Sequence, residues 1–251
     1  MAILSGHSAA PHDTAKMTDP TDPPRSAPAT TMLAVLVSMF VALGVVAHVA
    51  ATGTAWDHAV LAWMIAHRHP GLTSWAITVT TMGSPAGVAI LAVVAAAVAW
   101  WRVGSARPAI LILATLAVAG AVSTLTKVVV GAHRPAAAVQ LLVETDGSFP
   151  SGHVTGTLAS LGAVAVVVNR HVRSSVSALV TSTAAVAAVV VALTRLYLGV
   201  HWMTDVVGGL VLGTTASVSA HLLYGRMMRS ADTDDRVGVP AVARPAARRE
   251  T

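Results

Sequence analysis

The chain has no cysteine, few aromatic residues and very little charge. Of its 251 residues none is Cys, 4% are aromatic and 11% are charged. The lack of cysteine excludes disulfides and thiolate chemistry. Because soluble domains carry about 25% charged residues, this low charge and a hydrophobic content of 55% exclude an ordinary soluble domain.

The net charge of +5 is spread among short polar segments. This distribution favours membrane topology over nucleic-acid binding as the explanation of the positive charge. Residues 1–30 are polar and proline-rich and lack the basic region and short apolar core of a signal peptide. We expect residues 1–30 and 225–251 to form disordered cytoplasmic tails, with one membrane domain at 31–224 between them.

The apolar residues are gathered into long runs, and a membrane-crossing helix needs about 20 of them. Six runs qualify or nearly qualify, and none contains Asp, Glu, Lys or Arg: 31–51, 77–100, 108–126, 154–169, 176–193 and 206–224. The fourth run is the shortest. The sequence therefore predicts an all-α fold, an integral membrane bundle of six transmembrane helices.

The positive residues fall mainly on one side of this topology. Twelve of the sixteen Lys and Arg residues lie in the tails or in the segments that follow the second and fourth runs. The positive-inside rule assigns that side to the cytoplasm. The other side holds only four cations, Arg68, Lys127, Arg134 and Arg195.

Two further patterns concern packing. Helical spacing of Trp56, Val60, Trp63, Met64 and His67 predicts a short amphipathic helix at the membrane interface. In the last run, a GxxxG pattern at Gly209 and Gly213 predicts close contact with another helix.

Polar residues cluster at three places that this topology brings together at the outer membrane face. The clusters are KVVVGAHRP with Lys127, Arg134 and Pro135; PSGH, from Pro150 to His153; and TRLYLGVHWMTD with Arg195, His201 and Asp205. Three cations with few acidic neighbours predict an anion site. Guanidinium forks and an ammonium group match phosphate oxygens well.

The residue types also predict separate roles. Ser151 and Gly152 precede a helix, whose N-terminal N–H groups favour an anion. His201 and Asp205 are spaced i, i+4. On one helix face, the carboxylate can hold one imidazole nitrogen and leave the other free to attack. His153 would then lie across the phosphate and protonate a leaving oxygen.

Each cluster alone has a simpler interpretation. PSGH is typical of a helix cap, Lys127 and Arg134 of interfacial anchors, and a His–Asp pair of a surface pair. Their convergence on one face favours the phosphate site. We interpret Glu144 and Asp146 as solvated residues that shape access to it. The histidines that lack partners are interpreted as interfacial or solvated, namely His48, His133, His171 and His221.

Together the clusters resemble the signature of the type 2 phosphatidic acid phosphatases, also called lipid phosphate phosphatases. That signature is K-x6-RP, then PSGH, then SR-x5-H-x3-D. Every position matches except Thr194, which stands where the family usually has serine and keeps the hydroxyl. The segment 56–87 also resembles the stretch that bacterial members carry before their second span. The resemblance covers residues 31–224.

The resemblance implies a six-helix membrane enzyme that uses neither metal nor other cofactor. It implies that His201 forms a phosphohistidine, that Asp205 orients His201 and that His153 protonates the leaving lipid oxygen. It implies a phosphate cradle made by Lys127, Arg134, Ser151, Gly152 and Arg195.

The sequence thus predicts a multi-pass hydrolase of the cell membrane that acts on a lipid phosphate or diphosphate in the outer leaflet. Undecaprenyl diphosphate is the first candidate, since recycling a carrier lipid needs an outward-facing site. Phosphatidic acid and phosphatidylglycerol phosphate fit the same residues. A non-catalytic phospholipid binder or transporter is the alternative class, although such a protein would not need His153, His201 and Asp205. A vanadate-dependent haloperoxidase shares the motifs but is soluble.

Overall fold

Helices make up the regular structure over the residues that the structure describes. The structure, a computed structural model, describes residues 27–237, with side chains from 29 to 230. The eight α-helices of this part are α1 Ala27–Val49, α2 Ala55–Ala66, α3 Pro70–Met82, α4 Pro85–Val103, α5 Arg107–Val130, α6 Gly152–Val168, α7 Ser174–Tyr197 and α8 Met203–Val237. A 3₁₀ turn covers Ala137–Val139. Residues 1–26 and 238–251, where we expected disordered tails, lie outside the described residues.

Five of the described helices are long and apolar enough to cross a membrane. They are Ala29–Val49, Pro85–Val103, Arg107–Val130, Ser174–Tyr197 and Met203–Ser230. Their outward faces carry exposed Val, Leu, Ile and Trp side chains, as expected for contact with lipid. The chain is therefore a multi-pass membrane protein.

The fourth predicted span is the short central helix of the bundle. α6 has 17 residues, which corresponds to about 25 Å at 1.5 Å per residue. It packs against α4, α5, α7 and α8. A short helix suits this place because protein, rather than lipid, surrounds most of it.

Two predicted boundaries are wrong. The second span was expected at 77–100, but α3 ends at Met82 and α4 begins at Pro85. Ser84 caps the new helix by accepting the Gly87 N–H at 3.1 Å, and proline suits the first helical position. The last helix continues through residues 225–237, which we had assigned to the tail. This stretch contains neither glycine nor proline after Gly225, so nothing in it ends the helix.

The segment between α1 and α4 forms two helices, and the residues predicted to share one face of an amphipathic helix do not all face the same way. Val60 and Met64 pack inward against the core between α6, α7 and α8. Trp56 and Trp63, which we placed on the same face, are 80% and 57% exposed. Inward packing of α2 thus leaves its tryptophans outside the protein core.

Arg68, the one outer cation that lies outside the sequence motifs, joins helix ends. Its Nε donates to the Tyr197 carbonyl at 3.1 Å, and Nη2 donates to the Val139 carbonyl at 2.9 Å. It thereby satisfies a carbonyl at the C-terminus of α7 and fixes the 3₁₀ turn beside it.

The GxxxG prediction is confirmed at the crossing of α8 with α6. A Cβ atom on Gly209 would lie 2.8 Å from the Ser151 carbonyl oxygen, and one on Gly213 would lie 2.7 Å from Leu158 Cβ. Only glycine admits this approach, which sets α8 directly against the first turns of α6.

We expect Gly213→Ala to destabilise the protein by about 1–3 kcal/mol, because the added methyl overpacks the crossing. The measurement is the unfolding temperature in detergent. The matched control is Gly120→Ala on α5, where nothing lies within 4 Å of the Cβ position. Equal stability of the two variants would contradict close packing at Gly213.

Candidate active site

A cavity of about 230 Å³ opens where α5 and α7 end and α6 and α8 begin. Five of the eight predicted site residues line it: Lys127, Arg134, Gly152, His153 and His201. The segment that joins α5 to α6 adds Val143, Glu144, Thr145 and Asp146 to the wall, and Pro85 of α4 completes it. The structure therefore brings two histidines and two cations to one cavity.

The other three predicted residues lie directly behind this wall. Ser151 and Arg195 are fully buried, and Asp205 is 1% exposed. The Ser151 N–H donates to the Asp205 carbonyl oxygen at 3.0 Å, which joins the start of α6 to the first turn of α8. All eight residues thus belong to one connected cluster.

His201 is held by a group on each of its ring nitrogens. Its Nδ1 lies 3.2 Å from Asp205 Oδ2, and its Nε2 lies 3.1 Å from Arg134 Nη1. A guanidinium group can only donate, so Nε2 accepts and Nδ1 carries the proton that goes to the carboxylate. The basic nitrogen Nε2 consequently faces the cationic side of the cavity.

The pKa of His201 lies well below its ordinary value of 6.5. Burial is the main cause, followed by the positive charges of Arg134, Arg195 and Lys127. The imidazole is therefore neutral near pH 7, the state in which its nitrogen is a nucleophile.

Asp205 is fixed by partners that the sequence motifs do not contain. Its Oδ2 accepts the Trp202 N–H at 2.8 Å and the hydroxyl of Ser148, in addition to the contact with His201. Ser148 is fully buried. The only sequence signal for it is its place two residues before PSGH.

Arg195 also has a partner from outside the motifs. Its Nη1 donates to Thr80 Oγ1 at 2.9 Å, and Thr80 is 2% exposed on α3. The predicted second span included Thr80 as one of several threonines, with nothing to mark it. α3 thereby orients a guanidinium that belongs to α7.

Three buried polar atoms of this cluster have no partner within the described protein. They are Ser151 Oγ, Arg195 Nε and Asp205 Oδ1. Buried polar atoms are almost always hydrogen-bonded, so unpaired donors beside a cavity indicate a ligand site. The hydroxyl and the guanidinium N–H suit an anion.

The interpretation of Glu144 as solvated is wrong, whereas Asp146, with 57% of its side chain exposed, is both solvated and paired. Glu144 pairs with Arg195 and lies 4.0 Å from Arg134. Asp146 lies 2.5 Å from Arg134 and 3.1 Å from Lys127. The two carboxylates therefore pair with all three buried cations of the cluster, which leaves one net positive charge.

The pKa values of both carboxyls reflect these pairs. Burial alone would raise the pKa of Glu144, but its hydrogen bond to Arg195 and the nearby positive charges lower it overall. Burial would likewise raise the pKa of Asp146, and the charge of Lys127 and the hydrogen bond from Arg134 lower it overall. Both groups are ionised at neutral pH.

The sequence pattern that defines the PAP2 superfamily matches residues 108–229, a segment that contains all eight predicted site residues. Over this segment, just under half of its length, the chain is similar to the PAP2 superfamily. This similarity accounts for the convergence of the three clusters on one cavity.

Two curated relatives match parts of this chain. One is the "Putative undecaprenyl-diphosphatase YbjG" of Escherichia coli (strain K12), 39% identical over 82 residues, or 33% of this chain. The other is phosphatidylglycerophosphatase B of Bacillus subtilis (strain 168), 40% identical over 75 residues, or 29% of this chain. Each match spans 37% of the relative's own length.

Two solved structures share the fold. The transmembrane PAP2 type phosphatidylglycerolphosphate phosphatase from Bacillus subtilis aligns with a TM-score of 0.72 and 26% identity, over 77% of this chain and 96% of its own. LpxE of Aquifex aeolicus aligns with a TM-score of 0.53 and 17% identity, over 67% of this chain and 96% of its own. The second likeness concerns the fold alone.

Thr194, the one departure from the family pattern, has a local role. Its hydroxyl donates to the Val191 carbonyl at 2.6 Å, and the side chain is 1% exposed. A serine would make the same bond, so the position keeps the hydroxyl that the family has.

The lowered pKa values of Glu144 and Asp146 predict that the protein loses stability in acid. Their folded pKa values lie below the ordinary values of 4.5 for Glu144 and 3.8 for Asp146. Each therefore stabilises the fold above its ordinary pKa, and this contribution is lost as pH falls through the lowered folded value. We expect the unfolding temperature in detergent to fall between about pH 5 and pH 3, and to fall less in Glu144→Gln/Asp146→Asn. An equal fall in both proteins would contradict the pairing.

Proposed function

We propose that the protein is a phosphatase that hydrolyses the phosphate monoester or diphosphate of a membrane lipid. The observation that carries this proposal is the orientation of His201. Asp205 holds Nδ1 at 3.2 Å, while Nε2 lies beside Arg134 in a cavity that also contains His153 and Lys127. A nucleophile, an acid and a cationic binding site therefore meet in one place.

In the proposed first step, His201 Nε2 attacks phosphorus and forms a P–N bond as the P–O bond to the lipid breaks. His153 donates a proton to the leaving oxygen. The imidazole becomes positively charged, and the Asp205 carboxylate stabilises that charge. In the second step water attacks the phosphohistidine, His153 takes the water proton, and phosphate leaves from His201.

The cationic residues neutralise the phosphate in both steps. Lys127, Arg134 and Arg195 hold carboxylates of the α5–α6 segment in this structure. A phosphate group has the same charge sign and similar oxygen geometry, so it takes the place of these carboxylates when it binds. Ser151 Oγ and Arg195 Nε, which are buried without partners, are further donors for it.

We propose that the reaction needs no metal ion. The charge that the site offers to a phosphate comes from three side chains, and the nucleophile is already deprotonated through its low pKa. Among the described residues, no group of three His, Asp or Glu side chains has an arrangement that holds a metal. The chelator arm of the assay below tests the proposal directly.

The proposed substrate is a lipid, with undecaprenyl diphosphate first and phosphatidylglycerol phosphate second. The names of the two curated relatives support these two lipids. Val143, at the wall of the cavity, is an apolar residue that is 91% exposed. An exposed apolar side chain beside a charged cavity suits a substrate with a charged head and an apolar tail.

We place the site at the extracytoplasmic face. Twelve of the sixteen Lys and Arg residues fall on the opposite side of the predicted topology. The positive-inside rule then puts the cavity outside the cytoplasm.

The first test is phosphate release by protein purified in detergent, with a chelator present. We expect release from at least one of undecaprenyl diphosphate, phosphatidylglycerol phosphate and phosphatidic acid, and loss of at least about 10³-fold in kcat for His201→Ala, since the covalent step is removed. The control is His48→Ala, outside the cavity. Full activity of His201→Ala, or no release from any lipid, would refute the proposal.

The second test concerns the lipid tail. We expect Val143→Gln to raise KM for a long-chain lipid phosphate, because it removes apolar contact area at the cavity wall. KM for soluble p-nitrophenyl phosphate should stay unchanged, since that substrate has no long tail. Equal changes in the two KM values would contradict a tail contact at Val143.

A further inference from the structure

Asp57 is a buried carboxylate that the mechanism above does not use. It lies on α2, is 2% exposed, and belongs to neither the cavity wall nor the sequence motifs. Its Oδ2 accepts the Thr54 N–H and the Thr54 hydroxyl, each at 2.8 Å. The first of these bonds, together with the Asp57 N–H that donates to Thr54 Oγ1 at 3.2 Å, forms the capping box that begins α2.

The remaining hydrogen bonds of Asp57 cross to α8. Oδ1 accepts the Thr204 backbone N–H at 2.8 Å, and the Thr204 hydroxyl lies 3.0 Å from Oδ1 and 2.9 Å from Oδ2. Thr204 is the second residue of α8 and the direct neighbour of Asp205. A carboxylate from α2 therefore binds the first turn of the helix that carries Asp205 and begins two residues after His201.

This first turn has no cap of its own. The residue before α8 is Trp202, whose side chain has no oxygen that can accept an N–H of the turn. Asp205 bonds back to the Trp202 N–H at 2.8 Å, as the third residue of a capping box does. The missing half of that box is an acceptor for an N–H group of the turn. Asp57 supplies it by accepting the Thr204 N–H.

The same segment also fixes Trp202. The His58 ring packs against the indole at 4.8 Å between centroids. Gly53, with φ of +95°, lies so close that a Cβ atom there would be 3.0 Å from the indole ring. On its other side, Trp202 Nε1 donates to the His133 carbonyl at 2.7 Å, next to Arg134. The residue between His201 and α8 is thus enclosed by the start of α2.

We propose that Asp57 is a positioning residue for the His201–Asp205 pair. It sets the position of the first turn of α8 through Thr204, and hence the angle at which His201 Nε2 meets the phosphate. This inference rests on the proposed function. It gives α2 a positioning role in the reaction although no residue of α2 lines the cavity.

The test compares Asp57→Asn with the wild type in the phosphate-release assay. Asparagine keeps the shape but replaces one acceptor oxygen by a donor, so it loses the bonds on one side. We expect kcat to fall about 10- to 100-fold, because small displacements of a reacting group cost that much. KM should stay within about twofold, because the cations that bind the phosphate are untouched.

Two further variants separate positioning from general destabilisation. Thr204→Ser keeps both donors to Asp57, and we expect wild-type kcat from it. Ser217→Ala removes a hydrogen bond from the middle of α8 to the Leu158 carbonyl of α6, and one within α8 to the Gly213 carbonyl. We expect it to lower the unfolding temperature while kcat per folded molecule stays at the wild-type value.

The outcomes distinguish the two proposals. If the wild type releases phosphate and Asp57→Asn keeps its kcat, or if Ser217→Ala loses as much kcat as Asp57→Asn, the positioning role is overturned. If the wild type releases none, the proposed function fails. A double-mutant cycle that combines Asp57→Asn with Thr204→Val, measured by the unfolding temperature, then still tests the contact between these two residues. Additive effects of the two substitutions would show that the contact does not couple them.

Discussion

The Asp205 carboxylate and its backbone connect every part of the site. Its Oδ2 lies within hydrogen-bonding distance of His201 Nδ1, the Trp202 N–H and Ser148, and its carbonyl oxygen accepts the Ser151 N–H. These contacts fix the tautomer of His201, begin α8, hold the end of the α5–α6 segment and place the start of α6. A buried carboxylate is stable only with such a set of donors, so the site and the local fold depend on the same contacts.

Acidic residues are rare in the membrane domain, and each of them makes contacts in or beside the candidate active site. Between residues 31 and 224 the sequence contains only Asp57, Glu144, Asp146 and Asp205. Two pair with the cations, one holds His201 and one binds the first turn of α8. In the proposed reaction phosphate replaces carboxylate, so the cations need not lie unpaired in a site of low dielectric before the substrate arrives.

Features of the site that depend on the spacing of nearby residues could be predicted from the sequence. Contacts between residues far apart in the chain could not. The start of a helix after Ser151 and the glycine face of α8 follow from helix geometry. His201 and Asp205 do make contact, but α8 begins only at Met203, so His201 lies before the helix and not on the shared helix face that was predicted. The contact of Asp57 with Thr204 joins residues 147 positions apart, and that of Thr80 with Arg195 joins residues 115 apart. No periodicity marks such pairs. The break at Ser84–Pro85 was hidden by apolar residues on both sides, although its cap and proline are visible in the sequence.

The order of helix ends supports the proposal that this face of the bundle binds an anion. Lys127 and Arg195 lie in the last turns of α5 and α7, where the helix dipole favours positive side chains. Gly152 and Asp205 lie in the first turns of α6 and α8, whose N–H groups point toward the same end. Asp205 and Asp57 accept the Trp202 and Thr204 N–H groups at the start of α8, so part of that terminus is already occupied. The start of α6, beside the unpaired hydroxyl of Ser151, is therefore the terminus that suits the proposed phosphate better.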